Sequence, residues 1–174
     1  MEKIVTCTPI GGLGNQLFIL CTALCYAKES NRKLIITKYR ESRGIDGISI
    51  RYSYLNNLFS NLKGNVGSIV GSSYTYKVIN ETGFHYTKLP ITEHHVVHIA
   101  RYFQSYKYFE HDKELLHKVF EFDKYKTDQC SDSIALHFRI GDYKVKPDYH
   151  TILNNEYYIK SLRVICDQTG KSDY

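Results

Sequence analysis

An apolar strand, a glycine turn and a helix open this chain, and a second apolar strand follows. Lys3 to Thr8 reads as the strand, Gly11 to Asn15 as the turn and Gln16 to Glu29 as the helix. Leu17, Leu20, Leu24 and Ala27 recur at helical spacing, so an apolar stripe is expected to face a sheet. Asn31-Arg32 ends the helix, and Leu34-Ile35-Ile36 reads as a buried strand. A strand–helix–strand run closes as a right-handed crossover between parallel strands. That opening predicts a doubly wound α/β sheet of the Rossmann-like, three-layer kind.

The middle of the chain is less periodic. Ser42 to Ser53 is polar and contains glycine, so a loop near a cleft is expected there. Leu55 to Leu62 reads as a short amphipathic turn of helix, and Gly64 to Ser73 as a glycine-bounded strand. Tyr74 to Ile79 alternates and is expected to pair with that strand. Val96 to Ile99 is another strand, and Ser105 to Phe120 a helix with Tyr108, Leu115, Leu116, Val119 and Phe120 on its apolar side. Ser133 to Leu136 is the last predicted strand, and Asn154 or Asn155 caps a helix running to about Cys166.

Two motifs carry the chemistry. Gly11-Gly12-Leu13-Gly14-Asn15-Gln16-Leu17-Phe18 lies at a strand-to-helix turn, where glycines reach positive φ and let a ligand approach the main chain. The helix N-terminus behind it attracts anions. A third spaced glycine is missing, so a dinucleotide fingerprint is a poor match. His137-Phe138-Arg139-Ile140-Gly141-Asp142-Tyr143 crowds three polar groups behind an apolar run. An arginine fork there suits a phosphate held by two parallel hydrogen bonds.

Composition narrows the classes. At 174 residues the expectation is one domain, with room for an appendage. The net charge of +5 is spread out, with no run of five basic residues, so no nucleic-acid partner is expected. Cys7, Cys21, Cys25, Cys130 and Cys166 lack Cys-x-x-Cys spacing and read as reduced core residues. His94, His95 and His98 offer a weak metal pattern, because adjacent strand residues point to opposite faces. Glu2 and Lys3 lead straight into the first strand, which is unlike a signal peptide. The apolar run Leu17 to Ala27 is shorter than the roughly twenty residues that span a bilayer. These features give the expectation of a cytoplasmic chain, with peripheral membrane association left open.

With Tyr102-Phe103-Gln104-Ser105-Tyr106-Lys107-Tyr108-Phe109, the two motifs resemble those of the α-1,2-fucosyltransferases, glycosyltransferase family 11. The resemblance runs from Gly11 to about Leu162, and the third motif corresponds to the family's HxRRGDY. It is closer to the bacterial and viral members than to the membrane-anchored animal ones. It implies a GT-B fold, a GDP-fucose donor, a glycan acceptor, inverting transfer and no metal or other cofactor. Arg139 and His137 take the catalytic positions in that reading, with Arg139 on the donor's β-phosphate. Gly12, Gly14, Asn15, Arg139 and Asp142 take the substrate-binding positions.

Two departures from the family stand out. Ile140 replaces the second arginine, and the family's remaining donor-domain motifs have no counterpart. The expected organisation is an acceptor-side Rossmann-like domain over residues 1–130 and an incomplete donor domain over 131–174. A partner chain or a homo-oligomer could complete it. The alternative expectation is a catalytically incomplete fragment or pseudoenzyme serving as a binding module.

Overall fold

The computed structural model describes residues 2–37, 42–43, 50–51, 53–70, 73–126, 133–145, 148 and 151–170. The chain divides into two compact units, Met1–Ser42 with Ile50–Tyr125, and Arg43–Ser49 with Lys126–Tyr174.

The first unit is an α/β fold. Its strands are β1 (Ile4–Cys7), β2 (Lys33–Thr37), β3 (Val66–Gly67), β4 (Tyr76–Asn80) and β5 (Val96–Ala100). They form one parallel sheet in the order β3-β2-β1-β5-β4. Register aligns Val5 with Leu34 and Val97, and Cys7 with Ile36 and Ile99. Aligned residues of parallel strands share a face, so these six, with Ile79, present one apolar surface. Helix α1 (Leu13–Glu29) packs on it, and Phe59, Leu62, Phe103, Tyr108, Leu116 and Phe120 complete the same core.

The opposite face is patterned differently. It carries Ile4, Thr6 and Val96, which are buried, His98, which is half-buried, and Tyr76 and Val78, which are exposed. Within the first unit the described helical segments that enclose the core lie with α1.

Local sequence accounts for α1 and its ends. The helix begins one turn before its expected start, with Gly12 as its N-cap. Leu20 and Ala27 of the expected stripe are buried, whereas Leu17 and Leu24 are only half-buried. Ile19, Cys21, Ala23, Cys25 and Tyr26 are buried as well, because further segments cover the helix beyond the sheet. Asn31 turns left-handed at φ +49°, and the Arg32 N–H returns to the Ala27 carbonyl at 2.8 Å. Arg32 is buried, and its guanidinium donates to the carbonyls of Thr92, His94 and His95 at 2.5, 2.8 and 3.2 Å. That contact fastens the segment leading into β5.

Several expectations are corrected. Tyr76–Asn80 pairs with β5 and not with the glycine-bounded segment before it, where, among the described residues, only Val66–Gly67 is strand. The helix expected over Ser105 to Phe120 is broken into turns at Tyr106–Tyr108 and Glu110–Asp112 before α2 (Lys113–Phe120). Phe103 just upstream sits at φ +53°, and Ser105 and Phe109 are extended in φ, so no continuous helix can form there. Leu55 to Leu62 is likewise two 3-10 turns, Tyr54–Asn56 and Ser60–Asn65. Ser42 to Ser53 lies mostly outside the described residues, with Ser42–Arg43 and Ile50–Arg51 extended.

In the second unit Ser133 to Leu136 is not a strand. A strand needs a ladder partner, and none occurs among the described residues of 126–170. Gly141–Val145 is a 3-10 turn, and α3 spans Asn155–Thr169. Asn154 is its cap, the side-chain oxygen accepting the Tyr157 N–H at 3.0 Å. Among the described residues no helix is long and apolar enough to cross a membrane. Of the cysteines, Cys7, Cys21 and Cys25 are buried, Cys166 is half-buried on α3, and Cys130 lies outside the described residues.

Candidate functional site

In the first unit the glycine motif leaves the carboxyl end of β1 next to the segment that leaves β5. The sheet order makes this a switch point: the chain runs from β1 to β2 on one side, while β5 lies on the other. Open parallel sheets place ligands at such a crevice.

Gly11 takes φ +79°, and a Cβ there would lie 2.7 Å from Asn15 Nδ2. Both features favour glycine at that position. Gly12 and Gly14, the two glycines assigned to substrate, do not supply the positive φ. Gly12 is extended at φ −72°, ψ 175°, and a Cβ at Gly14 would meet nothing within 4 Å. Gln16 is buried, and its side-chain amide donates to the Gly11 carbonyl at 2.9 Å, closing the loop on itself. The N-cap is Gly12, which has no side chain to cap the first N–H groups of α1.

Asn15 lies in the first turn of α1, and its Oδ1 accepts the Gln104 side-chain amide at 2.7 Å. Gln104 is held in turn by Glu81, which follows β4. The two Glu81 oxygens accept the backbone N–H groups of Phe103 at 2.8 Å and Gln104 at 2.7 Å. Between β5 and Gln104 the backbone is strained: Arg101 sits at φ +91° and Phe103 at φ +53°. Such conformations cost about 1–3 kcal/mol each and persist only where the surroundings enforce them. A carboxylate clamp on two N–H groups is that enforcement. Loops from β1, β4 and β5 thus converge on Asn15, Gln104 and Glu81, which hold one another in place at the crevice.

In the second unit His137 and Arg139 line a common cavity of about 380 Å³ with Tyr143, Thr151, Leu153 and Tyr158. The Arg139 guanidinium carbon stands 4.9 Å from the centre of the Tyr143 ring. Tyr158, on α3, donates its hydroxyl to the His137 carbonyl at 3.1 Å and packs its ring on Phe138 at 4.3 Å. The turn Gly141–Val145 and helix α3 therefore fix the motif where a strand was expected to. Asp142 belongs to that turn, but its side chain lies outside the described ones.

No family model, curated protein or solved structure matches the chain.

Gln104 and Glu81 were not singled out from sequence as site residues, although Gln104 lies inside the YFQSYKYF segment. The histidines hold no ion-binding group: among the described residues no three His, Cys, Asp or Glu side chains converge. His94 and His95 precede β5, and His95 Nδ1 lies 3.0 Å from Thr75 Oγ1. Burial pushes the Cys7, Cys21 and Cys25 thiols up to about 12, so they are poor nucleophiles and poor ligands.

Proposed function

We propose that the chain is a fucosyltransferase-like protein of the α-1,2 class, transferring L-fucose from GDP-fucose to a glycan hydroxyl with inversion. The observation that carries the reading is the shared cavity of His137 and Arg139 in the motif that resembles HxRRGDY. A parallel sheet with a glycine loop at its carboxyl end is in keeping with one half of a GT-B fold.

In such a reaction the acceptor oxygen attacks the anomeric carbon as the bond to the diphosphate breaks. Negative charge accumulates on the leaving phosphate, and a guanidinium fork in the cavity stabilises it. Removal of one such donor typically lowers the rate by about 10²–10³. Tyr143 under the guanidinium limits the rotamers of Arg139, which reduces the entropy lost on engaging phosphate. His137 shares that cavity and acts on the same end of the donor. Asn15 and Gln104 contribute amide groups to hydroxyl recognition in the first unit.

One observation favours a second reading, a catalytically incomplete binding module. The second arginine of the motif is Ile140, which is exposed, so the motif supplies one guanidinium instead of two. Incubating the chain with fucose-labelled GDP-fucose and a β-galactoside acceptor separates the two. Labelled product that disappears in Arg139→Ala supports transfer. Donor binding without product supports the binding module, and neither binding nor product refutes both.

A further inference from the structure

We propose that a second cavity of the first unit, beside the carboxyl end of α1, binds a neutral pyranose sugar. It encloses about 280 Å³ and is lined by Tyr26, Glu29, Tyr86, Lys88, Tyr108 and His111 among others. Asn15 and Glu29 stand at opposite ends of α1, roughly 20 Å apart at a 1.5 Å rise per residue. The cavity is thus separate from the crevice at the sheet's carboxyl end, and the inference does not rest on the donor reading.

The walls are tied in place without any ligand. The Tyr26 hydroxyl donates to the Pro90 carbonyl at 2.9 Å. The Tyr108 hydroxyl accepts the Thr87 N–H at 3.2 Å and donates to the His85 carbonyl at 3.4 Å. Two tyrosines of the helical layer therefore anchor the segment joining β4 to β5 across the cavity. Tyr26 and Tyr108 are buried, whereas Tyr86 is 44% exposed with its ring centre 5.0 Å from that of Tyr108. The two rings meet at 58°, which leaves part of the Tyr86 ring exposed to an incoming ligand.

The polar rim selects the ligand class. His111 Nε2 lies 3.1 Å from Glu29 Oε1, which sets a carboxylate acceptor and an imidazole side by side. Lys88 adds a cationic donor. Charges of both signs disfavour a simple anion or cation. Neighbouring hydroxyls, which donate and accept at once, match the pair. A pyranose combines such hydroxyls with an apolar C–H face that stacks on a tyrosine ring. The volume is near the lower end for small-molecule sites and suits one ring.

The test is an amide chemical-shift titration of the intact chain with methyl β-D-galactopyranoside into the tens of millimolar. Affinity is expected to be roughly millimolar for a ligand of that size. Saturable shifts at residues 26–29, 86–91 and 108–111, weakened about tenfold in Tyr86→Ala and retained in Tyr86→Phe, support the site. No saturable shift in a folded, well-dispersed spectrum overturns it. So do shifts mapping elsewhere, or saturation by choline or acetate but not by the glycoside. GDP titrated in parallel reports on the donor reading alone, so either idea can fail without the other.

Discussion

Replacing Glu81 by glutamine should destabilise the first unit by about 1.5–2 kcal/mol and loosen the turn that carries Gln104. Each Glu81 oxygen accepts one backbone N–H, from Phe103 at 2.8 Å and from Gln104 at 2.7 Å. A carboxamide has one accepting oxygen and one donating nitrogen, so one of the two N–H groups would face another donor. Hydrogen bonds to a charged group contribute about 1.5–3 kcal/mol, and Glu81 is only half-buried, which places the loss at the lower end. Phe103 is fully buried, so its N–H has no easy access to water once the carboxylate is gone. The left-handed φ of Arg101 and Phe103 would then lack its restraint. Urea unfolding followed by amide exchange in β5 measures the loss, and exchange at Phe103 and Gln104 should accelerate first. A change under about 0.5 kcal/mol, the level of an unremarkable surface substitution, with unaltered exchange at those two amides would refute the clamp.

Other consequences are equally direct. Leu20 is fully buried between α1 and the sheet, so Leu20→Ala should cost about 2–5 kcal/mol in denaturant unfolding. Burial holds the His98 imidazole below its ordinary value of 6.5, so the unfolded chain takes up that proton first as pH falls. Stability linked to His98 is therefore full above about 6.5 and declines below it, and His98→Asn should flatten the acid limb of a melting-temperature profile. The thiols of Cys7, Cys21 and Cys25, pushed up to about 12, should resist a disulfide reagent in mildly alkaline buffer until the chain unfolds. Mass mapping of the folded protein should find none of the three labelled.

The parts of the fold legible in sequence were those set by local pattern. β1, α1 and β2 follow from an apolar run, a helical period and a second apolar run, each decided within a few residues. Partner choice was not legible, because a strand's own alternation does not say which neighbour it joins. Tyr76–Asn80 thus pairs forward to β5, since Arg32 and the segment at 92–95 bring β5 alongside β1. The glycine turn was visible, but the position in it that favours glycine is Gly11, because only the folded backbone shows which residue takes positive φ beside Asn15. Gln104 and Asn15 are 89 residues apart in sequence, and Glu81 lies 23 before Gln104. Nothing in the intervening spacing announces such contacts. His137 and Arg139 were legible as a cluster, although a turn and a helix hold them and no strand does.

The most direct test of the donor site is thermal stability of the purified chain with and without GDP-fucose, beside Arg139→Ala. Ligand at about 100 times its dissociation constant should add roughly 2.7 kcal/mol of stability. A rise in melting temperature that vanishes in Arg139→Ala is the predicted result. An equal rise in both proteins, or none in either at millimolar donor, would contradict a donor site built around Arg139.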